Sequence, residues 1–316
     1  MVAVHNFSYG LLTPVLGYVM SCLGCFLGLR CTMRARAGQG ASRVRWLLLA
    51  ALTIGVAGVW GMHFVAMLGF TIPGQSIRYN VPVTILSMVI AAVVVSTGLL
   101  IVGFGGDGPV PLLTGGLIIG FGVASMHYIG MTAMRMPDLM RFSIGLVILS
   151  VIIAVVAGTA ALWAALRLDT VWSTLAASAI MGVAVSGMHY TGMAAMQVYA
   201  TADATGMAGM QGGASATSFL LPLIFGISIL TLVLTAVISL SPTEAEIRKD
   251  AELIARLASN HSRRWGCGAW GSFRASPWSG APHRAASWRT PPRPRPARWS
   301  PTRTSPAAGG PAGTGR

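Results

Sequence analysis

Charged side chains are scarce in this chain. Only 9% of its 316 residues are Asp, Glu, Lys or Arg, where a water-soluble domain carries about 25%, so an ordinary soluble enzyme is excluded. Acids are the fewest, 8 in all. Asp107, Asp138, Asp169 and Asp203 fall between the apolar stretches and not within them, which argues against a carboxylate proton relay. Cysteine is limited to four positions. Cys22, Cys25 and Cys31 lie within or at the end of the first predicted helix and read as small helix residues about a membrane thickness from the histidines discussed below. Cys267 has no partner, and no disulfide framework follows. A phosphate loop, a nucleophile elbow and a zinc-protease pair are all missing.

What remains is apolar. Seven stretches of roughly the 20 residues that cross a bilayer run from about Tyr9 to Leu29, Trp46 to Phe70, Val81 to Phe104, Leu112 to Met136, Phe142 to Leu166, Val171 to Tyr199 and Ser218 to Leu240. Continuous runs without alternation predict helices and not barrel strands. The expected fold is all-α, a polytopic bundle of seven transmembrane helices spanning residues 1–240. Gly116 and Gly120, four apart, would let a neighbouring helix approach closely.

The net charge of +14 is mainly a property of the end of the chain: residues 241–316 hold 13 of the 22 basic and 4 of the 8 acidic residues. Specific nucleic-acid binding is therefore not expected. Residues 241–260 read as a short cytoplasmic amphipathic helix, with Pro242 near its start and Ile247, Leu253, Ile254 and Leu257 at near-helical spacing. Residues 261–316 are rich in Arg, Pro, Trp, Ser and Gly and cannot build a core. Two readings stand for them: a disordered basic tail touching anionic lipid, and an out-of-frame translation of GC-rich coding sequence. Arg30, Arg34, Arg36, Arg43 and Arg45 follow the first helix, and the positive-inside rule assigns them to the cytoplasm. The N-terminus is then outside and the C-terminus cytoplasmic. Residues 1–10 lack a basic n-region, so no cleaved signal peptide is expected.

One pattern repeats three times without gaps: GMHFVAMLGF from Gly61, SMHYIGMTAM from Ser125 and GMHYTGMAAM from Gly187. His63, His127 and His189 are 64 and 62 residues apart, two membrane helices each, which returns every copy to the same side of the membrane. At 1.5 Å per residue each imidazole lies about 23 to 27 Å from the start of its helix, just inside the outer boundary of the bilayer.

Helical geometry then groups the side chains. Met67, Met131 and Met193, four after each histidine, share its face, and Phe70, Met134 and Met196, seven after, extend the stripe. Met62, Met126 and Met188 precede the histidines, while Phe64, Tyr128 and Tyr190 follow them. Imidazole with thioether and no carboxylate serves Mg²⁺ and Ca²⁺ poorly and suits copper. The candidate metal ligands are thus His63, His127, His189, Met67, Met131, Met193, Met62, Met126 and Met188. Tyr128, Tyr190, Met134 and Met196 would face the ligand or orient the imidazoles, and His5, on the same side, is a possible additional ligand. Interfacial packing by His and Met is the plainer account of any single copy; the repetition in three helices favours ligation.

The triple motif, two helices apart in a seven-helix chain, resembles the MHYT family of bacterial integral-membrane sensor domains over about residues 5–240. Met188 to Thr191 spells the four letters in full, whereas the other two copies depart at the last one or two positions. Phe64 removes a phenol and with it any role for that tyrosine. The resemblance implies sensing of a diatomic gas (O₂, CO or NO) or of redox state, through copper held by the Met and His residues, with output to a cytoplasmic signalling partner. Family members often join this module to cytoplasmic domains such as cyclic-di-GMP enzymes; no such domain is visible after Leu240, and with no catalytic motif the chain is not expected to be an enzyme. Two other readings were open: copper transport or copper handling, since methionine ladders pass copper between weak sites, and haem ligation by bundle histidines.

Overall fold

A computed structural model describes residues 4–73, 77–136, 139–199, 213–240, 252–257 and 259–260. Seven helices long and apolar enough to cross a bilayer follow the seven apolar stretches: α1 (Leu12–Ala37), α2 (Gly40–Met67), α3 (Val81–Gly105), α4 (Pro109–Thr132), α5 (Ile144–Arg167), α6 (Val171–Ala195) and α7 (Ser218–Ile238). The chain is a multi-pass membrane protein. Pro residues occupy the first turns of α3 and α4, where an N–H would be unsatisfied anyway. The Thr170 hydroxyl caps α6 by accepting from the Ser173 amide. Large apolar side chains such as Ile152, Val156 and Trp163 stay exposed on α5, as helices in lipid require.

Glycines set the helix crossings. A Cβ built on Gly116 would meet Thr159, and one on Gly120 would meet Val155, so the expected close approach is made between α4 and α5. Gly24 lies against Gly58 in the same way, joining α1 to α2. Within α2 the stretch Leu52–Trp60 is π-helical and leads directly into the first histidine motif. Hydropathy carries no signal for it.

The arginine end differs from expectation. Helix α1 continues to Ala37, so Arg30, Arg34 and Arg36 stand on its last turns and only Gly38 and Gln39 link it to α2. These arginines have carbonyls to reach, because α3, α5 and α7 all end on this side with unsatisfied C=O groups. Arg43 donates to Gly103 of α3, Arg36 to Leu166 and Leu168 at the end of α5, and Arg34 to Ile238 of α7. Arg36 also pairs with Asp169 at 2.6 Å. Asp107 and Asp169 are exposed loop residues, as expected; Asp138 and Asp203 lie outside the described residues.

At the opposite, histidine end, α2, α4 and α6 stop earlier than their apolar runs. Met134 falls in a strand, β2 (Met134–Arg135), and Met196 in another, β4 (Met196–Tyr199). Phe70 lies in the turn after α2. The residues seven after each histidine therefore do not continue a helical stripe. Strand β1 (Arg78–Tyr79) pairs antiparallel with β2 and with β5 (Ala214–Ser215), and β3 (Leu139–Phe142) pairs with β4, Leu139 opposite Tyr199 and Phe142 opposite Met196. Backbone that leaves a helix near an apolar boundary must find partners. Here the connections satisfy one another and roof the histidine end.

The described residues up to Ser259 belong to one compact unit. Residues 252–257 are helical, within the expected short helix. The rest of that helix except residues 259–260, and all of residues 261–316, lie outside the described residues.

Candidate functional site

The three motif histidines sit four, five and six residues before the ends of α2, α4 and α6, about 6 to 9 Å from each helix terminus. They are sealed and not open to the surface: His63 is 1% exposed, His127 0% and His189 1%. Helices that are separate in sequence bring them together. Nδ1 of His63 lies 3.0 Å from Nδ1 of His127 and 3.1 Å from Nδ1 of His189. The ring centroids are 4.8, 5.1 and 5.1 Å apart, all edge-on. One nitrogen from each ring lies within 4.8 Å of the other two.

Two of the three nitrogen pairs stand at a spacing that a shared metal could bridge, and the trio lies within 4.8 Å. Nitrogens bonded at about 2.0 Å to one tetrahedral ion stand about 3.3 Å from each other, within a few tenths of an ångström of the two Nδ1 pairs. Hydrogen bonding alone serves the trio poorly, because neutral imidazole has one N–H and one lone pair. Nε2 of His63 and Nε2 of His127 are both buried without a hydrogen-bond partner. These two nitrogens face the α4 and α6 backbones at Gly130 and Gly192, so a metal shared at the inward nitrogens would leave both as they are.

Two residues missed by sequence reasoning hold the rings. A Cβ built on Gly130 would stand 2.6 Å from His63 Nε2, and one on Gly192 would strike His127 Nε2. Each glycine lies three residues after the histidine of the next motif helix, so α4 braces the ring of α2 and α6 braces the ring of α4. The signal was present, since the third residue after the histidine is small in every copy: Ala66, Gly130 and Gly192.

The aromatic residue after each histidine packs edge-on against its ring, at 4.7 Å for Phe64, 5.0 Å for Tyr128 and 4.9 Å for Tyr190. The Tyr128 hydroxyl turns away to Ser150 of α5 at 2.7 Å. That of Tyr190 is buried without a partner. Trp60 donates to Ser87 of α3 at 3.0 Å and stacks on Phe64. In the roof, Tyr79 is 1% exposed, and burial pushes its phenol up from the usual range.

All six methionines of the expected ligand set are buried, none more than 4% exposed. Met62 packs toward Gly17 of α1, and Met188 faces a central cavity. Met134 and Met196 are buried in the roof strands. His5 does not join the cluster: it is exposed, and its backbone pairs with Thr71. Its place is decided by this bridge and not by its level in the membrane. Cys25 is also nearer than expected, since its amide lies by Gly58, five residues before His63, about 7 to 8 Å along the axis. The close contact of Gly24 with Gly58 sets Cys25 beside the second half of α2.

Comparison with known proteins gives a consistent result. The MHYT model, described as a bacterial signalling protein N-terminal repeat, matches residues 57–115 and 120–178. Each match begins a few residues before His63 or His127, and the third motif lies beyond the second match. The chain is 36% identical over 199 residues, 60% of its length, to the bifunctional diguanylate cyclase/cyclic di-GMP phosphodiesterase MucR of Pseudomonas aeruginosa. It is 35% identical over 200 residues, 61% of its length, to the cyclic di-GMP phosphodiesterase NbdA of the same organism. An uncharacterized signalling protein of Caulobacter vibrioides is 34% identical over 182 residues, 58% of this chain. The matched regions span 28%, 25% and 22% of those relatives, respectively. No solved structure matches the chain.

Proposed function

The chain belongs to the MHYT family of bacterial integral-membrane sensor proteins, and from that premise we propose that residues 5–240 form a copper-binding sensor that reports a diatomic gas or redox state. The observation that carries the reading is the meeting of three buried imidazoles, with Nδ1 separations of 3.0 and 3.1 Å, among buried methionines and away from any carboxylate. His63, His127 and His189 would hold the metal, with Met67, Met131 and Met193 the nearest thioethers by helical position, and Met62, Met126 and Met188 beside them. Imidazole with thioether accommodates both copper oxidation states; copper would supply redox change and an affinity for O₂, CO or NO.

The protein's own part is mechanical. Each histidine is on a different helix, so any change in how the three rings meet bears on the relative positions of α2, α4 and α6. Signalling then requires that the ligand favour one of two helix arrangements, read by a cytoplasmic partner. We assign the arginine end to the cytoplasm and the roofed histidine end to the outside. The module acts as a receptor and not as a catalyst; the cyclic-di-GMP activities named for the relatives belong to those proteins.

Metal content of detergent-purified protein tests this. We expect copper near one equivalent in the wild type and its loss in the variant carrying His63→Ala, His127→Ala and His189→Ala. Equal and negligible copper in both would remove the assignment. Copper passage is the second reading, supported by Cys25 and Met181, soft donors that line the cavity together with Met188. Copper uptake into vesicles that depends on Met131 or Met193 would favour it over sensing.

A further inference from the structure

Below the imidazoles, toward the arginine end, helices α1 to α6 leave a cavity of about 40 Å³ at the centre of the bundle. Val59, Val123 and Val185 line it. Each stands four residues before a motif histidine, so the three copies contribute one valine apiece, one turn beneath the rings. Among its lining residues no side chain carries nitrogen or oxygen, and the Cys25 thiol is the most polar group. A buried water needs two to four polar partners, and helical backbone groups are already paired. The space is therefore dry, and it exceeds the roughly 10 to 15 Å³ that one water requires on this measure.

The wall formed by α5 and α6 consists of small residues. Ala157, Ala161 and Ala184 line the cavity, and each is only partly buried, so at these positions a methyl group is all that stands between the cavity and the outer surface. That surface is apolar: Val156, Ile180 and Val183 beside them are 63%, 69% and 62% exposed, as lipid-facing residues are. A molecule entering between α5 and α6 comes through hydrocarbon, a route closed to ions and strongly hydrated molecules.

From volume, lining and access together, we propose that this cavity binds one small, uncharged, apolar molecule of xenon or diatomic size, drawn from the lipid phase between α5 and α6. The site stands without the metal, because none of its lining groups is an imidazole. An occupant would touch the valines directly under the three rings and Met188 next to His189.

Xenon is the probe. The full-length protein in lipid nanodiscs, stripped of metal with a chelator, is titrated with xenon and followed by ¹²⁹Xe NMR, with empty nanodiscs as the reference for simple partitioning. The wild type gives a saturable bound population, and Ala157→Leu or Ala184→Leu, each of which extends a lining side chain into the cavity, lowers it at least tenfold while circular dichroism and gel filtration stay unchanged. Xenon behaving in the wild type as it does in empty nanodiscs overturns the proposal with no variant needed. Undiminished saturable binding in both folded variants also overturns it. Copper loading is measured separately, so a protein that takes xenon and no copper would refute the metal assignment alone.

Discussion

Gly130 faces the Nε2 edge of His63 so closely that a methyl group there would stand 2.6 Å from the ring nitrogen. That contact confines the imidazole to orientations with Nδ1 directed at His127 and His189. Adding volume in a tight interior forces side chains off their rotamers at about 1 to 3 kcal/mol, and at Gly130 the nearest group that can give way is the imidazole. We expect Gly130→Ala to preserve the helical bundle, with unchanged circular dichroism and gel filtration, while lowering bound copper several-fold. Gly145→Ala is the control, since a Cβ there meets nothing within 4 Å. Equal copper in the two variants would show that the brace is not needed.

At this scale the sequence was informative about identity and silent about direction. The offset of four between histidine and methionine is visible in every copy because a helix puts those positions on one face. That Met62 turns to α1 and Met188 to the cavity depends on which neighbour each helix meets. His5 shows the same limit: its level was legible, and its backbone pairing with Thr71 was not.

Helix ends are the informative elements. Three arginines near the start of the chain cap the C-termini of α3, α5 and α7, the helices that finish on their side, so the basic segment is structural as well as topological. A hydrogen bond to a charged donor contributes about 1.5 to 3 kcal/mol, whereas an exposed ion pair contributes about 0 to 1 kcal/mol. Asp169 is 79% exposed at its side chain. Arg36→Ala should therefore lower the thermal midpoint in detergent clearly, and Asp169→Asn only slightly. Similar losses in both would mean that the ion pair, and not the carbonyls of Leu166 and Leu168, anchors α5. The caps escaped sequence reading because an arginine's partner is a backbone carbonyl, and carbonyls carry no residue label. The β-strands of the roof escaped for a related reason: Met134 and Met196 continue the apolar runs, and hydropathy does not register where a helix ends to let backbones pair.

For the whole molecule, seven crossings place the first and last helices' outer ends on opposite sides. The proposed orientation predicts that Arg135→Cys, in β2, reacts with a membrane-impermeant maleimide in intact cells. Ala255→Cys, in the helical residues 252–257, should react only after lysis; both are made in a chain with Cys267 replaced by Ser. The reverse pattern would invert the topology and put the histidine end in the cytoplasm.

The number of helices, their all-α class and the threefold motif followed from the sequence, because water's exclusion from lipid acts on every residue of a span and leaves a signal about 20 residues long. That the copies lie on one side followed too, since two crossings restore the side. Only the tertiary structure decided that three rings from separate helices meet edge-on under a roof of strands, with glycines as braces and an apolar space beneath. Those features arise from contacts between residues some 60 positions apart, where a fraction of an ångström or a single methyl group determines what fits, and no periodicity along one chain encodes them.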